Sequence, residues 1–575
     1  MLFFTFLKGR RKEAVLAPLF KLLEVVFELS VPLAVASLID DGIAKGDMHH
    51  VLMMALLMVA FGIAGLVSSV TAQYFAAKAA IGFTLKMKSA LFRHIASLSE
   101  SDRDRVGGAT LISRMTNDST LVQNGINMFL RLFMRSPFVV FGAAAAAFLV
   151  DSSLALTFAV VIPLLSLIVF LIMRFTVPMY RRAQLALDGI LARVRENLTG
   201  IRVLRAFGKE MDEEAEFSSS LSSLVDIQLS TGSISALLNP LTYVTVNLAV
   251  ALLVYWGRER FLSGMIEVGS IVALVNYMTQ ILTELIKLAN LIVTISRAVA
   301  SWKRINSVFE IQPSLSVSER GYTEEDKESD AVVFSAVSMT YRQGGEPSLK
   351  SADFTIKRGE RVGIIGGTGS GKTTLVSLIP RIYDATDGCV SVLGHRVKDW
   401  DIHALRSLIG YVQQKAVLFK GTIRDNIAWG KPDASDDEIV EALKAAEAYE
   451  FVMEKKNGIL APVEEGGKNF SGGQRQRLSI ARALVRQPEI LILDDSSSAL
   501  DYATEAKLRH NLQDRKSMTL ITVSQRAGSL RTMDRIFVLD KGCIVASGSH
   551  EELLSTSKIY KEIYDSQFGG QDGKE

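Results

Sequence analysis

R361-V-G-I-I-G-G-T-G-S-G-K-T-T374 decides how the second half of this chain is read. V362-G-I-I365 is a short apolar strand, and the residues after it fit the phosphate-loop spacing Gly-x-x-x-x-Gly-Lys-Thr. Gly366, Gly367, Thr368, Gly369, Ser370 and Gly371 form the loop, whose glycines let backbone N–H groups turn toward phosphate oxygens. Lys372 is placed to reach the outer phosphates and Thr373 to offer a hydroxyl to Mg²⁺. Thr374 begins a helix, whose N-terminus favours anions. The pattern sits between a strand and a helix, which makes it specific for binding phosphate.

I490-L-I-L-D494 reads as a buried strand that ends in a carboxylate. We expect it to lie directly beside the strand of the phosphate loop, with Asp494 binding Mg²⁺ directly or through water. Around these two strands, short β-branched runs alternate with helical stretches from Ala331 onward, predicting an α/β domain over 331–575. The polar stretch 311–330, with Pro313 and several serines and acids, reads as a linker.

The first half differs in composition. Mean hydropathy of the whole chain is +0.25, and the apolar residues concentrate before Ser296. Crossing a bilayer as a helix takes about 20 residues. Six runs qualify, at about 17–39, 51–75, 130–150, 153–176, 237–257 and 268–296. The third carries Arg131 and Arg135 at its start. The connections alternate between short ones and two long, basic, amphipathic ones at 76–129 and 177–236. With Arg10, Arg11 and Lys12, their charges place those parts, and everything after about 300, in the cytoplasm. The long segments are expected to extend the membrane helices, with a short helix at each reversal near 101–110 and 197–201. Residues 1–310 thus read as a transmembrane domain. The Arg10–Lys12 cluster precedes an apolar run without a small-residue cleavage site, so no cleavable leader is expected. A net charge of +3 implies no general attraction to nucleic acid, and Cys389 and Cys543 make no disulfide framework.

F470-S-G-G-Q-R-Q-R477 adds a second anion-binding helix start. With the phosphate loop and the six spans it makes the chain resemble an ABC transporter of the exporter type, over nearly its whole length. The resemblance implies that Ser471, Gly472, Gly473 and Gln474 form the signature motif, which binds ATP held by the opposite subunit. Phe470 stands where that motif usually has Leu. It also implies that Tyr341 stacks on adenine and that Gln414, in G410-Y-V-Q-Q414, senses Mg²⁺ and faces the membrane domain. Gln413 stands where Pro is usual. Glu465 matches an acidic residue that contacts coupling helices, and S498-A-L-D501 matches a loop that touches the facing subunit.

Two catalytic positions depart from the family. The residue after the Mg²⁺ aspartate is normally Glu and here is Asp495, one methylene shorter. In I521-T-V-S-Q-R526 the usual histidine is Gln525, which can hydrogen-bond but carries no charge. Misplacing a reacting group by about 1 Å can cost roughly 100-fold. The pair therefore predicts a site that binds ATP and hydrolyses it slowly. It resembles the degenerate half of a heterodimeric bacterial multidrug exporter. That resemblance implies a second, different half with its Glu and His, and export of drug-like or amphipathic cargo across the inner membrane. A homodimer with two slow sites, or a regulatory membrane ATPase without transport, remain open readings. Glu24 and Glu28 within the first run, and Glu284 with Lys287 in the sixth, suggest an acidic cavity for cationic or hydrophobic molecules, or else structural pairing.

Overall fold

The computed structural model describes residues 2–315, 321–341, 345–515 and 517–568; part of the expected linker, 316–320, lies outside them. Eight helices open the chain after a short turn of helix at Leu2–Leu7. They are α1 (Arg11–Ile43), α2 (Met48–Ser97), α3 (Glu100–Val106), α4 (Gly108–Val150), α5 (Ser152–Thr199), α6 (Ile201–Ala206), α7 (Glu210–Leu262) and α8 (Val268–Phe309). Among the described residues six of them, all but α3 and α6, are long and apolar enough to cross a membrane, and each contains one of the six predicted runs. Helices α2, α5 and α7 have 50, 48 and 53 residues. At 1.5 Å per residue they are about 70–80 Å long, more than twice the ~30 Å hydrocarbon layer, so they continue well beyond it. The reversals carry α3 and α6, close to the positions expected.

The chain divides into two compact units. The first holds residues 1–96 and 107–311; the second holds 97–106 and everything from 312. The segment with α3 therefore groups with the second unit although its chain neighbours belong to the first.

Small residues let the helices of the first unit approach closely. A Cβ on Gly125 of α4 would fall 2.1 Å from the Ala298 Cβ of α8. Two aspartates tie helix starts at the short connections. Asp151 caps α5 by accepting from the Leu154 N–H at 2.8 Å, and Asp40 accepts from the Gly269 N–H of α8 at 2.6 Å.

Several charges inside the bundle are paired. Arg135 of α4, only 8% exposed, donates to Glu28 of α1 at 2.5 Å and to Glu284 of α8. Lys21 pairs with Glu24 at 2.5 Å, and Lys287 with Glu284 at 3.0 Å. Three carboxylates thus face three cations, which favours structural pairing over an acidic cavity, the two readings the sequence leaves open. Arg135, a charge at odds with the apolar run that follows it in the chain, is the centre of that pairing.

The second unit is built on two main sheets, besides a short pairing of Gly421–Thr422 with Pro462–Val463. The strands of the main sheets are β1 (Val332–Met339), β2 (Leu349–Ile356), β3 (Arg361–Gly366), β4 (Asp387–Val392), β5 (His395–Arg396), β6 (Ile409–Val412), β7 (Ile490–Asp494), β8 (Thr519–Val523), β9 (Arg535–Asp540) and β10 (Cys543–Gly548). One sheet runs β2-β1-β4-β5 and the other β10-β9-β3-β8-β7-β6. All of the second sheet is parallel except the edge strand β10. Every residue of β7 and β8 is buried, as parallel central strands require. The strand of Asp494 does not lie beside the strand of the phosphate loop: β8 separates them. The helices that matter for the site are α9 (Lys372–Leu378), α10 (Gly472–Leu484) and α11 (Tyr502–Gln513).

Removing Arg135 should leave Glu284 buried with only Lys287 and Ser136 beside it. We expect Arg135→Met to cost about 3 kcal/mol of stability. Thermal unfolding in detergent should show the loss, and adding Glu284→Gln should recover much of it.

Candidate nucleotide site

The phosphate loop leaves β3 at Gly366 and enters α9 at Lys372. Glycine is required twice by close approach. A Cβ on Gly366 would lie 2.2 Å from the Leu539 carbonyl oxygen, and one on Gly371 would lie 2.4 Å from that of Ser348. Gly371 also has φ 99°, a left-handed conformation that glycine adopts freely. The Lys372 ammonium lies along the loop, donating to the carbonyl oxygens of Gly366 at 2.9 Å and Gly367 at 2.7 Å. Burial lowers its pKa, and the nearby Asp495 and Asp494 oppose that.

Thr368–Thr374 line a cavity of about 280 Å³ together with Gln414, Asp494, Asp495 and Gln525. Residues from four separate stretches of sequence meet there. Asp494 is buried at the end of β7 and accepts from Thr373 Oγ1 at 3.1 Å and from Tyr411 Oη at 3.2 Å. Burial raises its pKa, while these two hydrogen bonds hold it down. Asp495 follows with φ 46°, in the left-handed region where aspartate is one of the better tolerated non-glycine residues. Its Oδ2 accepts from Gln414 Nε2 at 3.0 Å, and Gln525 Nε2 stands 3.5 Å from the same oxygen. Burial raises the Asp495 pKa too, and the Gln414 hydrogen bond opposes it.

The hard oxygens of Thr373 and Asp494, 3.1 Å apart beside the loop, are donors that fit Mg²⁺. The Gln414 carbonyl oxygen, at the other end of the amide that holds Asp495, is of the same donor type. When bound, such an ion neutralises charge on the phosphates of a nucleotide.

Tyr341 is outside the cavity lining but joined to it, its hydroxyl 2.9 Å from Thr374 Oγ1. Gly366 and Gly367 form the loop's base and bond Lys372 rather than lining the cavity. The helix start that the sequence reads as a second anion site lies elsewhere. Ser471 caps α10 through a reciprocal pair: its Oγ accepts from the Gln474 N–H at 3.3 Å, and Gln474 Oε1 accepts from the Ser471 N–H at 3.0 Å. Ser471 and Gly472 are exposed, and Ser471–Gln474 line no part of the cavity. Phe470 is buried just before them, with the Lys455 ammonium 4.5 Å over its ring. Glu465 is exposed in a short turn, and Asp501 caps α11 by accepting from the Thr504 N–H at 2.9 Å.

In the sequence, G410-Y-V-Q-Q414 draws attention to its glutamine and not to Tyr411. The tyrosine reaches the site because β6 lies next to β7, so a polar side chain on β6 can reach the carboxylate at the end of β7.

Two family profiles match the chain, one described as the ABC transporter transmembrane region over residues 15–285 and one as ABC transporter over residues 349–498. An uncharacterized ABC transporter ATP-binding protein of Bacillus subtilis, YfiB, is 37% identical over 98% of both chains. An ATP-dependent lipid A-core flippase of Syntrophus aciditrophicus is 32% identical over 84% of this chain and 80% of that one. The solved structure of a bacterial Atm1-family ABC exporter with ATP bound has the same fold. Its TM-score is 0.83 at 24% identity, covering 99% of this chain and 100% of that one. The flippase is named as one protein, and this chain matches most of it. These matches overturn the expectation of a second, different exporter half as partner.

Tyr411 gives the site a testable feature. In Tyr411→Phe the buried Asp494 Oδ2 loses its donor, at a cost of about 1–3 kcal/mol. A thermal-shift assay on the full chain should show a lower melting temperature. The Asp494 pKa should rise further, so the loss should shrink as pH falls into the carboxylate range.

Proposed function

The chain belongs to the ABC transporter family, with membrane and ATPase domains fused, and from that premise we propose that two copies form an exporter with slow ATPase sites, moving apolar or amphipathic molecules. The protein is an ATP-hydrolysing translocase. Its topology is that of a multi-pass protein of the bacterial inner membrane, with the ATPase domain in the cytoplasm.

One observation carries the proposal. Ser471 and Gly472, at the start of α10, are exposed and stand apart from the cavity of the phosphate loop. A nucleotide held by Thr368–Thr374 of one copy would be completed by Ser471–Gln474 of the second. Two such composite sites arise from two copies.

Within each site the roles divide among this chain's residues. The loop N–H groups and Lys372 hold the phosphates. Thr373 and Asp494 hold the metal ion. Asp495 is the carboxylate available to orient water, and Gln414 fixes its position through the 3.0 Å hydrogen bond. Slow turnover is a matter of reach and charge. Asp495 has one methylene less than the family's Glu, and Gln525 can donate a hydrogen bond to a phosphate but brings no positive charge.

The cargo class rests on two supports. The charged groups of Glu24, Glu28 and Glu284 are satisfied by Lys21, Arg135 and Lys287, so no spare charge selects a cation. The flippase relative is named for moving lipid A-core, which is amphipathic.

Complementation tests the pairing. Lys372→Ala and Ser471→Ala should each abolish single-turnover ATP hydrolysis. Differently tagged copies of the two, purified together as mixed dimers, hold one intact composite site and should recover about half of the unmodified activity. No recovery would overturn the homodimer.

A second experiment tests the slow site. Asp495→Glu with Gln525→His should raise ATP turnover by roughly 100-fold, the scale of a 1 Å correction in position. Unchanged turnover would mean that Asp495 already serves fully.

A further inference from the structure

A hydroxyl and two aromatic rings join the first reversal helix to the nucleotide site. Helix α3 lies in sequence between α2 and α4, yet it is anchored within the unit that carries the phosphate loop. Its first anchor is Asp102, buried, whose Oδ2 accepts from the Ser314 N–H at 2.9 Å and from Ser99 Oγ at 2.7 Å. Its second is Asp104, whose Oδ2 accepts from Tyr383 Oη at 3.1 Å. Tyr383 lies in the loop between α9 and β4. Its ring meets the ring of Tyr341 edge-on, with centroids 5.1 Å apart and planes at 90°. Tyr341 Oη in turn lies 2.9 Å from Thr374 Oγ1, one residue after Thr373, which bonds Asp494.

Each link is directional. A partly buried phenol beside a carboxylate stays protonated, so Tyr383 donates and Asp104 accepts. A T-shaped pair presents the edge of one ring to the face of the other, so turning Tyr383 changes what Tyr341 rests against. The Thr374 contact sets the position of the Tyr341 hydroxyl.

We propose that Tyr383 is a positioning residue. It holds the Tyr341 ring in place for the nucleotide base only while its hydroxyl is engaged by Asp104, so the seating of α3 and the binding of ATP report on each other. This rests on the reading of Tyr341 as the platform for adenine. The coupling is reciprocal: a bound nucleotide that fixes Tyr341 steadies α3 by the same factor that seated α3 strengthens nucleotide binding.

The test uses the full chain in lipid nanodiscs. Amide hydrogen exchange of residues 97–106 is measured with and without ATP and Mg²⁺, alongside affinity for a fluorescent ATP analogue. In the unmodified chain ATP should slow exchange across 97–106 several-fold. Tyr383→Phe keeps the ring and removes the donor. It should abolish that ATP-dependent slowing and weaken nucleotide binding about threefold, with exchange elsewhere in the ATPase domain unchanged. Asp104→Ala should do the same, and the double variant should lose no more than either single one, the signature of one shared interaction. Equal ATP protection in the unmodified chain and Tyr383→Phe, no ATP protection at all, or losses that add would each overturn the proposal. If Tyr383→Phe does not fold, Asp104→Ala on the exposed helix carries the same comparison. Tyr341→Ala separates the two readings. It should weaken nucleotide binding about tenfold; unchanged affinity there would remove the platform, and the exchange data on Tyr383→Phe would still decide the link to α3.

Discussion

Val523 pairs with Ile364 on one side and with Asp494 on the other. That double register sets three chain ends at one level of the sheet. The phosphate loop leaves β3, two carboxylates leave β7, and Gln525 leaves β8 between them. The ladder continues past the strands: the Asp495 N–H donates to the Val523 oxygen at 3.0 Å, and the Ser524 N–H to the Ile364 oxygen at 3.0 Å. A slip of one residue would turn every side chain of β8 to the other face. Because all five of its residues are buried, such a slip would bury the wrong groups throughout, and the site is as fixed as the sheet.

Much of this was legible in the sequence, and the reasons are local. Glycine spacing, a lysine and a threonine in eight residues describe a loop whose geometry is almost entirely its own. Six apolar runs describe helices because the bilayer sets their length. The order of strands is different. I490-L-I-L-D494 reads as a buried strand, but nothing within it names its neighbours, and β8 proved to be the neighbour of both. Tyr411 reaches Asp494 across 83 residues of sequence, and Tyr383 reaches Asp104 across 279. Contacts of that separation are made by tertiary packing and leave no periodic trace. Arg135 shows the converse. Its charge was visible, and its meaning was not, because Glu28 and Glu284 come to it from 107 and 149 residues away.

Asp495 and Gln525, where the resemblance implies Glu and His, invited a reading in which unlike halves share the work. The geometry provides a reason nearer to hand for one of them. At φ 46° the backbone of residue 495 favours a short polar side chain, and from there Asp495 is held by Gln414, just past the strand that neighbours its own. Gln525 stands near the same oxygen. Asp495 and Gln525 therefore belong to one small polar cluster, and a change at either alters the surroundings of the other.

A similar division of labour holds at α3. A helix of 7 residues is too short to persist alone in water, so its shape depends on what it is bonded to. Asp102 supplies most of that, since a buried carboxylate accepting several hydrogen bonds is costly to release. Asp104 adds one further bond from an exposed position, which stabilises the helix little. A contact that contributes little to stability but leads by two rings to Thr374 is suited to being made and broken. The division between a strong anchor at Asp102 and a weak one at Asp104 lets the helix stay attached while the weaker contact changes.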